Sequence, residues 1–376
     1  MKFQVALKAL SEALSVVGRA VAGKGVRPVL ANILFIVVPG ELRLVGTDME
    51  IMVTSCLVAD VDMIGQCTIP AKLLLEIVAG LPTDSKDEKV RFSQLEGNEN
   101  QIELATGRGK FHLQIQGTEE FPPLPVLEGE SYPKFTLTPA ELKTALKEVS
   151  IAMGTEEANP TQRCVCFTFT EGLLRLVATD SRRLTVGRMQ GVKYPTEFEK
   201  NFLVPTRAIP EILKLLDDGE TIEIGLFHEQ LMFVTRNFQM LTRLYEGRFP
   251  DYTRILPRDT SRELTINTKE LGQAIKAVSP IARASSMMVH FDVGPNETRL
   301  WAESQEEGTS ECYISTKLKG EPIAIAFNGK YIQDFLSVVE QEEIIIEMTT
   351  PAFPGLFRPS TSEYDFKCVI MPMTVS

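Results

Sequence analysis

A self-similar period longer than any single supersecondary unit constrains this chain more than any local motif. The stretch Leu173-Leu174-Arg175-Leu176-Val177-Ala178-Thr179-Asp180-Ser181-Arg182-Arg183-Leu184 reads as a strand, a tight polar turn and a second strand. Its echo, Glu41-Leu42-Arg43-Leu44-Val45-Gly46-Thr47-Asp48-Met49-Glu50-Ile51, lies about 130 residues upstream, and a worn third copy is Glu297-Thr298-Arg299-Leu300-Trp301-Ala302-Glu303-Ser304. A helical pattern recurs in register: Leu10, Ala13, Leu14, Val17; then Leu142, Ala145, Leu146, Val149; then Leu271, Ala274, Ile275, Val278. Spacing of i, i+3, i+4, i+7 is one face of an α-helix. A second helix opens at Ile69-Pro70-Ala71-Lys72, at Val204-Pro205-Thr206-Arg207 and at Phe327-Asn328-Gly329-Lys330. Two helices and a turn in register three times predict three similar α+β domains, placed at 1–125, 128–257 and 260–376. The proline-bearing stretches Phe121 to Pro125 and Phe249-Pro250-Asp251-Tyr252 lead into the linkers.

The length of 376 residues suits three domains of ordinary size, and no run approaches the roughly 20 apolar residues of a membrane span. Met1-Lys2-Phe3-Gln4-Val5 leads straight into a strand without a signal-peptide pattern, so the expectation is a cytoplasmic protein. Most of the six cysteines sit in apolar strand-like runs, as reduced thiols would, and the three histidines are too scattered to suggest a metal site. Neither a metal nor any other cofactor is expected. The net charge of −11 argues against a generic nucleic-acid coat. It leaves room for positive charge confined to one surface.

Two motifs invite enzymatic readings. Gly18 to Lys24 spells G-x-x-x-x-G-K, but Gly25 follows where a phosphate loop needs Ser or Thr, and the segment leaves a helix instead of a strand. A nucleotide hydrolase is therefore the weaker alternative, and a flexible loop carrying Lys24 the better reading. Thr179-Asp180 has no histidine or second carboxylate arranged nearby. Its recurrence as Thr47-Asp48 fits an Asx-type turn, in which the side chain satisfies backbone N–H groups. The basic positions say more. Lys72, Arg207 and Lys330 recur at the starts of the second helices, where a cation opposes the helix dipole. Lys143, Lys147, Lys269 and Lys276 fall on polar helix faces, which is equally what ordinary solvated faces look like. A non-DNA scaffold of repeats is the other alternative.

With the three repeats, the Ala178-Thr179-Asp180 turn, Phe249-Pro250-Asp251-Tyr252 and Met371-Pro372-Met373, the chain resembles, over essentially its whole length, the bacterial DNA polymerase III beta subunit family, the sliding clamps. The resemblance implies three DNA-clamp domains, with helices lining a ring interior and antiparallel sheets outside. It implies a head-to-tail homodimer that encircles double-stranded DNA without reading its sequence, and a processivity factor with no active site. Lys24, Lys72, Arg207 and Lys330 are then DNA-binding candidates, with Gln162 and Arg163 as plausible neighbours of DNA or pocket. It further implies a pocket for short peptide motifs of polymerase subunits, the clamp loader and repair proteins. Its candidates are Thr179, Ser181, Arg182, Arg183 and Leu184; Pro250, Arg254 and Ile255; and Met371, Pro372 and Met373. The family turn commonly reads Ala-Thr-Asp-Gly-His-Arg-Leu. Here Ser181 and Arg182 replace Gly and His, and Thr374-Val375-Ser376 extends the tail. Both departures bear on partner preference.

Overall fold

The computed structural model describes residues 1–23, 25, 27–81, 88–95, 97–125, 131–155, 159–216, 221–257, 260–361 and 365–374. Within these, one ten-element plan occurs three times: strand, helix, four strands, helix, three strands. The first copy is β1 (Lys2–Ala6), α1 (Leu7–Val17), β2 (Asn32–Val38), β3 (Glu41–Thr47), β4 (Ile51–Met63), β5 (Gly65–Pro70), α2 (Ala71–Gly80), β6 (Lys89–Leu95), β7 (Asn98–Ala105) and β8 (Lys110–Gln114). The second is β9 (Lys134–Leu137), α3 (Pro139–Ser150), β10 (Cys164–Thr170), β11 (Leu173–Thr179), β12 (Arg183–Met189), β13 (Asn201–Pro205), α4 (Ile209–Leu215), β14 (Ile222–Phe227), β15 (Gln230–Val234) and β16 (Phe238–Arg243). The third is β17 (Arg262–Asn267), α5 (Thr268–Ala282), β18 (Met288–Val293), β19 (Glu297–Ser304), β20 (Gly308–Lys319), β21 (Ile323–Asn328), α6 (Gly329–Leu336), β22 (Glu343–Met348), β23 (Gly355–Pro359) and β24 (Lys367–Ile370).

The periodicities account for the helices. Leu10, Ala13, Leu14 and Val17 are buried on α1, and Leu271, Ala274, Ile275 and Val278 on α5. Asn267 caps α5, its side chain accepting from Lys269 N and Glu270 N, which satisfies two donors that every helix start leaves open. α1 stops at Val17. Gly18–Ala20 continues as a tighter 3-10 turn, as glycine's poor helix propensity allows.

The chain divides into two compact units, residues 1–139 with 207–244, and residues 140–206 with 245–376. The division passes through the second repeat because each unit is organised on one long antiparallel sheet. In the first unit the order is β8-β7-β6-β1-β4-β16-β15-β14-β9, with β3, β2 and β5 continuing from β4. Phe3 and Phe92 stack at 4.9 Å at the centre of its first repeat, with Phe35 tilted against both. In the second unit the order is β13-β10-β11-β12-β24-β23-β22-β17-β20-β19-β18-β21. A large core there runs from Leu264 through Phe291, Phe327, Phe335 and Phe357 to Ile370. No helix among the described residues is long and apolar enough to cross a membrane.

Candidate functional site

The repeated turn has one construction in both copies. Thr179 Oγ1 donates to Arg183 O at 2.8 Å and accepts from Ser181 N at 3.3 Å. Asp180 Oδ1 accepts from Arg182 N at 3.0 Å and Arg183 N at 2.9 Å. In the first repeat Thr47 Oγ1 donates to Ile51 O at 2.7 Å, and Asp48 Oδ1 accepts from Glu50 N and Ile51 N at 3.0 and 2.9 Å. The third turn residue is left-handed in both, φ 71° at Ser181 and 78° at Met49. The Thr-Asp pair is thus an Asx-type turn in which Thr Oγ1 and Asp Oδ1 bond the turn's own backbone, leaving Asp Oδ2 for a cationic partner. Ser181 occupies a conformation that glycine adopts without strain.

In the second unit this turn carries the candidate site. Leu184 begins inside an apolar cluster that also holds Phe249, Val369, Cys164, Cys166 and Leu356, with Tyr252 and Leu256 against it. Phe249 therefore anchors the Phe-Pro-Asp-Tyr segment beside the turn, leaving Pro250, Arg254 and Ile255 exposed. Arg254 pairs with Asp251 at 2.9 Å. β24 pairs with β12, Arg183 opposite Ile370. The tail runs on past the turn, Met371 N donating to Arg182 O at 2.9 Å and Met373 N to Ala326 O at 2.8 Å. Met371 is 41% exposed and Ile255 42%. Apolar side chains held out by a well-packed base are what a peptide side chain can bury against. Gln162 also joins the turn, Nε2 donating to Ser181 Oγ at 2.5 Å. Arg163, at the end of the 3-10 turn Pro160–Arg163, is exposed.

Arg183 has partners that the local sequence does not announce. Its guanidinium lies between Asp180 Oδ2 at 2.9 Å and Asp334 Oδ2 at 2.7 Å, and 4.3 Å over the ring of Tyr331. Its side chain is only 10% exposed. Burial pulls its pKa down, but hydrogen bonding to Asp334 and the charge of Asp180 outweigh that and hold it above its ordinary value. Asp334 also receives Lys330 one helical turn earlier on α6. That i, i+4 spacing is the only local signal for Asp334. The thiols beneath are inert by burial, which pushes Cys166 up to about 11 and Cys368 to about 12.

The basic candidates fall into different settings. Lys72 and Lys330 are second residues of α2 and α6, both exposed. Arg207 does not start a helix: α4 begins at Ile209, and Pro210 fixes its first turn. In the first unit Arg207 pairs with Asp48 Oδ2 and Glu211 Oε1, each at 3.1 Å, and donates to Arg19 O. Arg19 meets the same Glu211 at 2.6 Å. Arg207 therefore ties the first-repeat turn to the start of α4. Lys147, Lys269 and Lys276 are exposed on their helices. Lys24 lies outside the described residues. Among the described residues no group of three or more His, Cys, Asp or Glu side chains is placed to hold a metal ion.

Three family models cover the chain: the N-terminal domain of the DNA polymerase III beta subunit over residues 1–125, its central domain over 136–251 and its C-terminal domain over 253–374. The beta sliding clamp of Vibrio cholerae is 30% identical, across 99% of this chain and 100% of that protein. The clamp of Bacillus subtilis is 28% identical across 96% and 97%. Among solved structures, the Thermotoga maritima DNA polymerase III beta subunit superposes with a TM-score of 0.91 at 27% identity over the full length of both chains. A Bartonella birtlesii sliding clamp bound to griselimycin gives 0.92 at 26%, again over both full lengths.

Proposed function

The chain belongs to the DNA polymerase III beta subunit family, and from that premise we infer that it is a non-catalytic DNA sliding clamp. It encircles duplex DNA and tethers replicative and repair polymerases to it, in the bacterial cytoplasm on the nucleoid. On this reading its three domains are 1–125, 128–257 and 260–376.

The observation that carries this reading is a strand rule. β16, last strand of the second repeat, pairs with the N-terminal half of β4, Phe238 opposite Ser55 and Thr242 opposite Ile51. β24, last of the third repeat, pairs likewise with β12. The rule leaves two ends over. Among the described residues β8 pairs only with β7, and Gly308–Ser315 of β20 only with β19. An unpaired edge is a template for another chain. Joining β8 of one copy to β20 of a second repeats the junction already made twice within the chain. The charges agree: Arg108 and Lys110 are exposed at the first edge, and Glu306, Glu307 and Glu311 at the second. A contact between different surfaces closes into a ring when its rotation closes.

Sliding requires phosphate contacts that are interchangeable and free of base readout. Lys72, Lys330, Lys147, Lys269 and Lys276, on helix N-termini and polar faces, suit that, and so does Lys24 by its place in the family pattern. Enclosure makes tight binding unnecessary, so a net charge of −11 is no obstacle. Partner motifs from polymerases, the clamp loader and repair proteins dock on the turn, Phe-Pro-Asp-Tyr segment and tail. Their apolar side chains bury against Ile255 and Met371 over the base that holds Leu184, and the Arg183 network fixes the floor. Light scattering across a dilution series, with a fluorescein-labelled polymerase-tail peptide titrated into the same samples, tests the reading. The expected species has twice the chain mass, binds the peptide and loses it when Met371 to Ser376 are deleted. Glu306→Lys with Glu307→Lys should give monomers. A monomeric wild-type chain that ignores the peptide would overturn the assignment.

A further inference from the structure

Beside the tail, on the face of the third-repeat sheet that carries His290 and Trp301, lies a groove of about 350 Å³ that shares only Met373 with the candidate peptide site. Its floor is β21, where Ala324 and Ala326 present only methyl groups. One wall is a ring stack: His290 of β18 stands opposite Trp301 of β19, their rings 3.9 Å apart and within 10° of parallel. The other wall is Pro351 and Ala352 from the β22–β23 connection together with Met373. Asp292 is the groove's one acidic lining residue, and no Lys or Arg lines it. Among the described residues both its partners sit on Oδ2: Trp301 Nε1 donates at 2.9 Å, and Arg299 Nη1 approaches to 3.4 Å.

We propose that this groove is an accessory subsite for a long-stemmed cationic side chain, arginine or lysine, flanking the apolar motif of a partner peptide. Three observations carry it. The groove is continuous with the peptide site, because Met373 belongs to both. Its walls are apolar and aromatic, which suits a methylene stem. Asp292, its one acidic lining residue, keeps Oδ1 without a partner among the described residues, so a cation finds an acceptor there and a phosphate or carboxylate finds no cationic partner in the lining. The protein already contains the arrangement: the Arg299 guanidinium lies 5.3 Å from the Trp301 ring while pairing with Asp292 and Glu311. The incoming side chain would use the open Oδ1 of Asp292. Volume fits as well, since the space is at the low end of sites that take small ligand groups.

The proposal rests on the peptide-site reading above, and the experiment separates the two. Fluorescence anisotropy on the full chain compares a minimal motif peptide with peptides extended on either side by arginine or by norleucine. One arginine extension should bind at least about fivefold tighter than the minimal peptide, and tighter than its norleucine counterpart. Ala324→Trp, on the exposed face, should remove that gain and leave minimal-peptide affinity unchanged. Asp292→Asn, which keeps the shape and removes the charge, should reduce arginine to the level of norleucine. Equal affinity for minimal and extended peptides overturns the groove alone. A gain that survives both variants, or an Ala324→Trp chain that binds the minimal peptide worse, overturns it too. A wild-type chain that binds no minimal peptide overturns the peptide site, and the groove's role with it.

Discussion

Glu148 gives a perturbation whose size and sign follow from burial. It sits in the last turn of α3 and is 7% exposed. Its Oε2 has no hydrogen-bond partner among the described residues. A carboxylate in that position loses hydration and gains nothing in return, so its pKa is pushed from 4.5 up to about 7. Below pH 4.5 the group is protonated in folded and unfolded chains alike and costs nothing. As pH rises the unfolded chain ionises first, and stability falls until the folded group ionises near 7. At about 1.4 kcal/mol per pH unit, the full cost is about 3 kcal/mol, reached above pH 7. Glu148→Gln cannot ionise and escapes that cost. Between pH 5.5 and 8 its advantage over the parent should grow by about 2 kcal/mol. For a unit of this size the full effect is on the order of 6–12 °C in Tm at pH 8. Differential scanning fluorimetry of both chains across that range reads it. A Tm difference that does not change with pH, or a variant less stable at pH 8, would refute the assignment of an unpaired buried carboxylate.

Three further outcomes follow from the site. Asp334→Asn leaves Arg183 with Asp180 and the Tyr331 ring, and should weaken motif-peptide binding about 5- to 20-fold by anisotropy, with about 1–3 kcal/mol lost in urea unfolding. Lys72→Glu with Lys330→Glu should leave the dimer mass unchanged while shortening retention on circular DNA, more at low salt than at high. Of the thiols, Cys56 is exposed whereas Cys67, Cys166 and Cys368 are buried with pKa values of about 12, 11 and 12. A disulfide reagent at pH 8 should therefore label Cys56 and leave those three intact until the chain is unfolded.

The repeat, the helices and the turn were legible because they are local. Leu10 to Val17 carries its own periodicity, and Thr179-Asp180 hydrogen-bonds within five residues. The Asn267 cap reads directly from its position before an apolar-periodic run. β5, β13 and β21 were not legible as strands, because each ends at the opening of a second helix and the helix signal absorbs it. The Arg183 network was also hidden, since Asp334 and Tyr331 lie far along the chain and only folding brings them to the turn. Arg207 shows the same limit. Its sequence place matches Lys72 and Lys330, yet Pro210 delays the helix and its guanidinium turns to Asp48 and Glu211. A cation at a helix start reads alike whether it faces solvent or an internal carboxylate.

The worn third copy of the turn is intelligible on the same physics. In the first unit Asp48 reaches Arg207 before α4, and in the second Asp180 reaches Arg183, which α6 holds through Asp334. Each intact turn thus serves the second helix of the next repeat. Within residues 1–376 no repeat follows the third, and Glu303-Ser304 stands where Thr-Asp stood. Ser304 Oγ still accepts from Glu306 N and Glu307 N, each at 3.3 Å, so the bend survives on a weaker hydroxyl. The residues it presents are now carboxylates directed outward at the open edge of β20. The helix that would follow in the pattern is α2 of another copy. A turn that has lost its internal partner and gained exposed acid is what a head-to-tail contact between copies requires.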